Sequence, residues 1–346
     1  MKNKFGWMTT GSTINIGDDF QCIAARNFLA KEKDLTYIDR ERMKEYDEQE
    51  VKMVLNGWYM HNPKMWPPSD KIHPLLTSIH ISNTKQKNSN LVPAKLMLNK
   101  RGCEFLEKYS PVGCRDLFTY KLLKNKGIKC YFSGCLTLTL ENHAEEKKSY
   151  ICLVDPSERL VNFVKEHTNR EIRIVYPEKD VWPRDYDKRI EKAHEILKIY
   201  AEAHMVLTSR LHGALPSLAM GTPVLLLEHG FGDERYEGLK YFVNFATYKD
   251  LYSNRYPIDF ENPMLNPREH MVLRKNLEYI VSEFVNGDIN QVDFEKIHKE
   301  NMEAYQLARQ RTISFYKKYK LENIKIREFK SNFRFFVRNI ENFIKQ

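Results

Sequence analysis

MVLTSRLHGALPSLAMGTPVLLL, residues 205–227, decides more of the fold than any other stretch of this 346-residue chain. Met205 to Thr208 is an apolar run of strand length, Ser209 is a residue type that caps helices, and ALPSLAM keeps helical spacing as far as Gly221. Pro223 then opens a second apolar run, PVLLL, ending at Leu227. Strand, turn, helix and strand in this order predict a βαβ unit, with parallel strands and a right-handed crossover.

The turn holds the chemistry. With Ser209 as the cap, Arg210, Leu211 and His212 occupy the first helical turn, where backbone N–H groups lack intrahelical partners. Such a turn attracts an anion through its amides and dipole; a guanidinium adds a bidentate fork, and an imidazole can donate a hydrogen bond or a proton. Gly213 leaves the backbone open to close approach. An isolated Arg-x-His reads equally well as a salt-bridged arginine and a satisfied histidine, and it is the strand-turn-helix-strand context that favours a site.

Outward from this unit the alternation continues. EKAHEILKIYAEA precedes it as a helix, and YICLV at 150–154, a helix near 157–167 and a strand at 172–176 come before that. A separate series fills the N-terminal half. It begins with a strand through Trp7, a small polar turn from Thr9 to Thr13, then Asn15-Ile16-Gly17-Asp18-Asp19 leading into FQCIAARNFLA, where Phe20, Ile23, Ala24 and Phe28 suit one helical face. Apolar runs at Val51–Leu55 and Leu76–Ile81, helical stretches at 102–108 and 116–126, and a last strand near 130–140 follow before the charged break ENHAEEKKS. The expected fold is α/β: two Rossmann-like domains, 1–145 and 146–290, facing a cleft where ligands bind, with a basic amphipathic helical segment at 291–346. A chain of this length exceeds the size at which one core stops growing, which also favours two domains.

Composition excludes several classes. Hydrophobic residues at 42% and charged residues at 29% suit a folded protein. No apolar run is long enough for a membrane span or a signal peptide, so the expected location is the cytoplasm. Six cysteines without a CxxC pair read as thiols rather than zinc ligands or a disulfide framework. The net charge of +9 is concentrated in residues 311–346, where ten Lys/Arg face three Glu; the body is nearly neutral, which argues against a nucleic-acid partner. Within that tail Phe329, Phe333, Phe336, Ile340 and Phe343 form one helical stripe beside Lys330, Arg334, Arg338 and Lys345. The stripe reads either as a helix lying on an anionic membrane or as one docked across the two domains.

The Arg-Leu-His-Gly turn after a strand, the small-residue helix, the Gly-x-Pro and the next strand resemble the C-terminal half of the polysaccharide pyruvyl transferase family. Asn15-Ile16-Gly17-Asp18 matches the family's N-terminal Asn-x-Gly-Asp turn, and Arg115-Asp116 its Arg-Asp pair opening a helix. The resemblance implies a GT-B-like fold with phosphoenolpyruvate in the cleft as donor substrate, and neither cofactor nor metal. It implies transfer of the pyruvyl group to a sugar of a bacterial surface polysaccharide or its lipid-linked precursor, with a cyclic ketal and free phosphate as products. By the same carry-over, Ser209, Arg210, Leu211, His212 and Gly213 hold the donor from one side, and Arg115 and His80 from the other. Asn15, Gly17, Asp18 and Asp19 face the acceptor, with Glu228 and with Arg235, which stands where relatives carry a lysine. Arg210 and Arg115 then bind the donor's anionic groups, His212 acts as acid, and Asp18 orients or deprotonates the acceptor hydroxyl. Near His80 the family often has a Gly-rich turn, which this chain replaces with Ile79-His80-Ile81-Ser82. Trp58, Tyr59 and Trp66 can stack on a sugar or pack under a loop. The alternatives are a nucleotide-sugar glycosyltransferase of the same architecture and a non-catalytic, membrane-associated assembly factor.

Overall fold

The computed structural model describes residues 4–29, 31, 34–86, 90–228 and 234–321. In chain order the first half holds β1 (Phe5–Thr9), α1 (Gly17–Asn27), β2 (Leu35–Asp39), β3 (Val51–Tyr59), β4 (Ile72–Ile81), α2 (Pro93–Met97), α3 (Lys100–Lys108), β5 (Val112–Cys114), α4 (Leu117–Lys124) and β6 (Cys130–Phe132). The second half holds β7 (Ile151–Val154), α5 (Glu158–His167), β8 (Ile172–Val175), α6 (Tyr186–Glu202), β9 (Met205–Thr208), α7 (Leu211–Ala219), β10 (Val224–Glu228), β11 (Asn244–Thr247), α8 (Tyr248–Tyr252), α9 (His270–Asn286) and α10 (Phe294–Lys318).

The protein is an α/β structure with two parallel sheets, ordered β2-β1-β3-β4-β5-β6 and β11-β10-β9-β7-β8. Strands such as ICLV and MVLT are buried at every position, as parallel strands covered on both faces must be. In each sheet the chain reverses its direction of travel once, between β1 and β3 in the first and between β7 and β9 in the second. Loops leaving the carboxyl ends on either side of such a reversal diverge and open a crevice. The turns after β1, β7 and β9, which flank these reversals, carry several of the residues that line the site.

Two differences from the expected elements have simple causes. The strand expected near 130–140 ends at Phe132, because Ser133 turns the chain: its hydroxyl donates to the Cys114 and Gly134 carbonyls, and Leu136–Thr139 form a single 3-10 turn. Ser209 does not cap α7. Arg210 occupies the cap position in extended conformation, its N–H donating to Thr208 Oγ1 (2.9 Å), while the Ser209 carbonyl accepts from the Tyr236 hydroxyl.

The C-terminal helix α10 ties the two sheets at their edge strands. Asn301 Nδ2 donates to the Phe132 carbonyl and His298 Nδ1 accepts from the Phe132 N–H, while the Tyr316 hydroxyl donates to the Phe245 carbonyl in β11. Arg311, at the start of the basic segment, is part of this docking, donating to Glu269 and to the Tyr241 carbonyl. The stripe from Phe329 to Phe343 lies outside the described residues. Among the described residues no helix is long and apolar enough to cross a membrane, and the six cysteines are free thiols, four of them buried.

Candidate active site

A cavity of about 1060 Å3 opens between the carboxyl ends of the two sheets. Asn15, Gly17 and Asp18 line it from the turn after β1; His80 and Arg115 from the ends of β4 and β5; Ser209, Arg210, Leu211, His212 and Gly213 from the turn into α7; Glu228 from the end of β10 and Arg235 from beyond it. The expected residues thus converge on one space, with a single exception.

The exception is Asp19. It is absent from the cavity wall because its carboxylate forms a fork with Arg189 of α6 (2.6 and 3.2 Å) and accepts from Thr10 Oγ1 (2.9 Å). Successive helical residues point about 100° apart, so only one of two adjacent aspartates can face the ligand. Arg189 also donates to the Thr13 carbonyl, binding a helix of the second half to the turn after β1. Burial, opposed by Arg189, lifts the Asp19 carboxyl to about 6.

Asp18 does face the cavity. Arg40 Nη2 lies 3.4 Å from its Oδ2, and Gln21 Nε2 donates to Oδ1 at 3.4 Å. The turn that carries it is built by side chains closing on the backbone, Asn15 Oδ1 accepting from the Gly17 N–H and Thr13 Oγ1 from the Asn15 N–H. Gly17 meets a space requirement: a Cβ there would sit 3.0 Å from His212 Cβ and 3.1 Å from its Nδ1. The turns of the two halves touch at this point. Gly213 lines the cavity and also meets a packing requirement: a Cβ on it would strike Thr208 Oγ1 at 2.6 Å, and its hydrogen lets α7 fold back on β9.

The two arginines differ. Arg210 lines the cavity, yet its fork is occupied: Nε and Nη2 hold Asp155 Oδ2 (2.8 and 2.7 Å), and Nη1 donates to Glu178 Oε1 (2.6 Å). The expected free bidentate fork is therefore corrected, because the extended cap conformation lays Arg210 across the ends of β7 and β8. Arg115 is 1% exposed and its Nε and Nη2 have no hydrogen-bond partner. Its nearest carboxylate is Asp116, 3.4 Å from Nε, and that group is committed to His80 Nδ1 at 2.7 Å and to the Thr119 N–H at 2.9 Å as cap of α4. Burial lowers the His80 pKa despite Asp116, and its Nε2 faces the cavity wall without a partner. Asp116 stays below its ordinary range because His80 and Arg115 outweigh the cost of burial.

His212 Nε2 is likewise buried and without a hydrogen bond. Burial, with the Arg115 charge next, pushes this imidazole down to about 3. Both influences favour the neutral form of the imidazole. The Leu211 and His212 N–H groups have no hydrogen-bond partner among the described residues, the first helical bonds running from Gly213 and Ala214 to the Arg210 carbonyl. Glu228 pairs with Lys240 at 3.5 Å, and Arg235 lies beside Tyr236 in a segment whose Glu234 accepts from the Asn83 N–H of the first half. Sequence reasoning misses Asp155 and Glu178; a carboxylate directly after a parallel strand, as at Asp155, is the signal that could have found the first. Among the described residues no group of three or more His, Cys, Asp or Glu is placed to hold a metal.

Two parallel sheets thus gather cationic and imidazole side chains between their carboxyl ends. The sequence profile of the polysaccharide pyruvyl transferase family matches residues 15–230, well over half the chain, and the protein belongs to that family. As a member it is a transferase of pyruvyl groups to polysaccharide. No curated protein sequence matches it. Solved structures similar to it include a functionally uncharacterised protein of Klebsiella pneumoniae, 13% identical over 68% of this chain and 87% of that one, with a TM-score of 0.38. Another is S. aureus MnaA in complex with UDP, 12% identical over 93% of this chain and 98% of that one, also at 0.38.

Proposed function

We propose that the protein transfers the pyruvyl group of phosphoenolpyruvate to two hydroxyls of one sugar, in a GT-B-like arrangement whose cleft is the cavity between the sheets. The observation that supports this best is Arg115, a guanidinium 1% exposed with two nitrogens lacking hydrogen bonds at the wall of a large cavity. A buried, underpaired cation is costly, and an anionic ligand removes that cost. The donor's carboxylate and phosphate suit Arg115 together with the Leu211 and His212 amides.

In the reaction, a sugar hydroxyl adds to carbon 2 of the donor while carbon 3 gains a proton, turning methylene into methyl. Asp18, steadied by Arg40 and Gln21, accepts the hydroxyl proton. The carbon 2–oxygen bond to phosphate then breaks, the second hydroxyl adds to carbon 2, and its proton leaves with phosphate. His212 supplies the proton to carbon 3. Burial and the Arg115 and Arg235 charges oppose its protonation; a multiply charged anion bound between them offsets those charges, so protonation accompanies donor binding. The acceptor is a polysaccharide or its lipid-linked precursor, handled in the cytoplasm, with the segment beyond α10 contacting an anionic membrane face.

Thermal shift with phosphoenolpyruvate against a panel of nucleotide sugars, followed by phosphate release with polysaccharide acceptors, tests the reading. Stabilisation by phosphoenolpyruvate alone is expected. Stabilisation by a nucleotide sugar and none by phosphoenolpyruvate would overturn it.

A further inference from the structure

Trp58, near the carboxyl end of β3, lines the same cavity as Asp18 beside the reversal of the first sheet. Of the three aromatic residues in its segment it alone reaches that space: Tyr59 is 0% and Trp66 5% exposed, and both belong to the core. The indole is held in place. The Arg40 guanidinium lies over it, 5.6 Å from the ring centroid, and the His61 ring stands 4.7 Å away at a tilt of 53°. Buried Glu41 fixes both neighbours, accepting from Arg40 Nε at 3.1 Å and from the His61 and Asn62 N–H groups at 3.2 and 2.7 Å. Since Arg40 also holds Asp18, the aromatic plate and the carboxylate share one buried support. A small phosphorylated acid has no use for a fixed indole. A pyranose does, because it offers an apolar C–H face to cover an aromatic ring and edge hydroxyls to donate to a carboxylate.

We infer that Trp58 is the platform of the acceptor subsite, stacking on the pyranose ring of the sugar that receives the pyruvyl group while Asp18 takes its hydroxyls. The word acceptor rests on the pyruvyl-transfer reading; the sugar site does not.

Saturation-transfer NMR of the full chain with methyl β-galactopyranoside and methyl β-glucopyranoside, run beside thermal shift with phosphoenolpyruvate, separates the two. In the wild type, saturation is expected at the ring C–H protons of at least one glycoside. It disappears in Trp58→Leu, which keeps apolar bulk without the plate, and returns in part in Trp58→Phe. In turnover assays Trp58→Leu raises the acceptor KM about tenfold, with the donor KM unchanged. Undiminished saturation of a folded Trp58→Leu, or none from either glycoside in the wild type, overturns the inference. If phosphoenolpyruvate stabilises every variant while Trp58→Leu binds sugar normally, the subsite falls and the transfer reading stands. If phosphoenolpyruvate stabilises none while saturation still depends on Trp58, the transfer reading falls and the sugar site stands.

Discussion

Arg115 and Arg210 enter one cavity from opposite sheets in opposite electrostatic states. Arg210, its side chain 26% exposed, is gripped by Asp155 and Glu178; Arg115, at 1%, keeps two nitrogens without a hydrogen bond. Both belong to the motifs that mark the site, and the longer motif carries Arg210. What separates them is what surrounds them in space. Capacity to bind an anion lies in donors left unsatisfied, and a satisfied arginine serves first as scaffold.

The largest expected effect tests this contrast directly. Arg115→Ala should lower kcat/KM for the donor by about 100- to 1000-fold, the range seen when a preorganised charge-stabilising donor is removed, and abolish donor-induced thermal stabilisation. Arg115→Lys, a point charge without the planar fork, should recover only part. His212→Gln should lower kcat by about 100-fold with a smaller change in donor affinity, measured by phosphate release and by titration. Arg210→Ala should cost about tenfold or less, chiefly by leaving Asp155 and Glu178 without their cation. Should Arg210→Ala prove as damaging as Arg115→Ala, the carboxylate grip opens during turnover and the contrast between the two arginines fails.

Smaller effects sharpen the picture. Gly17→Ala pushes a methyl into His212 and should reduce stability by about 1–2 kcal/mol, read from urea midpoints, with a several-fold loss of turnover. The pH dependence of stability reports on His212. Its folded-state pKa of about 3 lies below the ordinary 6.5, so between these values the unfolded chain binds a proton that the folded chain refuses. Stability therefore falls as pH drops through that window, and urea titrations at pH about 7.5 and about 5 should show a smaller drop in His212→Gln.

Much of this architecture is legible in the chain. The apolar spacing of residues 205–227 yields β9, α7 and β10, and Asn15, Gly17, Asp18 and Arg115 of the two shorter motifs line the cavity. Which partners the charged residues choose is not legible. Arg210 meets carboxylates 55 and 32 positions away, and Asp19 is drawn out of the site by an arginine 170 positions away, while Asp18 beside it stays. Local spacing carries no trace of such pairings; the packing of α6 on α1 creates the second, and the neighbouring ends of β7, β8 and β9 create the first. The Ser209 cap fails for a related reason. Thr208 lies one residue closer to the strand, and its hydroxyl satisfies the Arg210 N–H, so the helix starts a residue later than the cap preference suggests.

The contact between Gly17 and His212 reaches beyond this molecule. A hydrogen atom is the whole shim between the two halves where their loops meet, so neither loop can be thickened, shifted or borrowed without the other registering it. A hybrid enzyme joining the front of one relative to the back of another would be judged at this seam before any question of substrate arose.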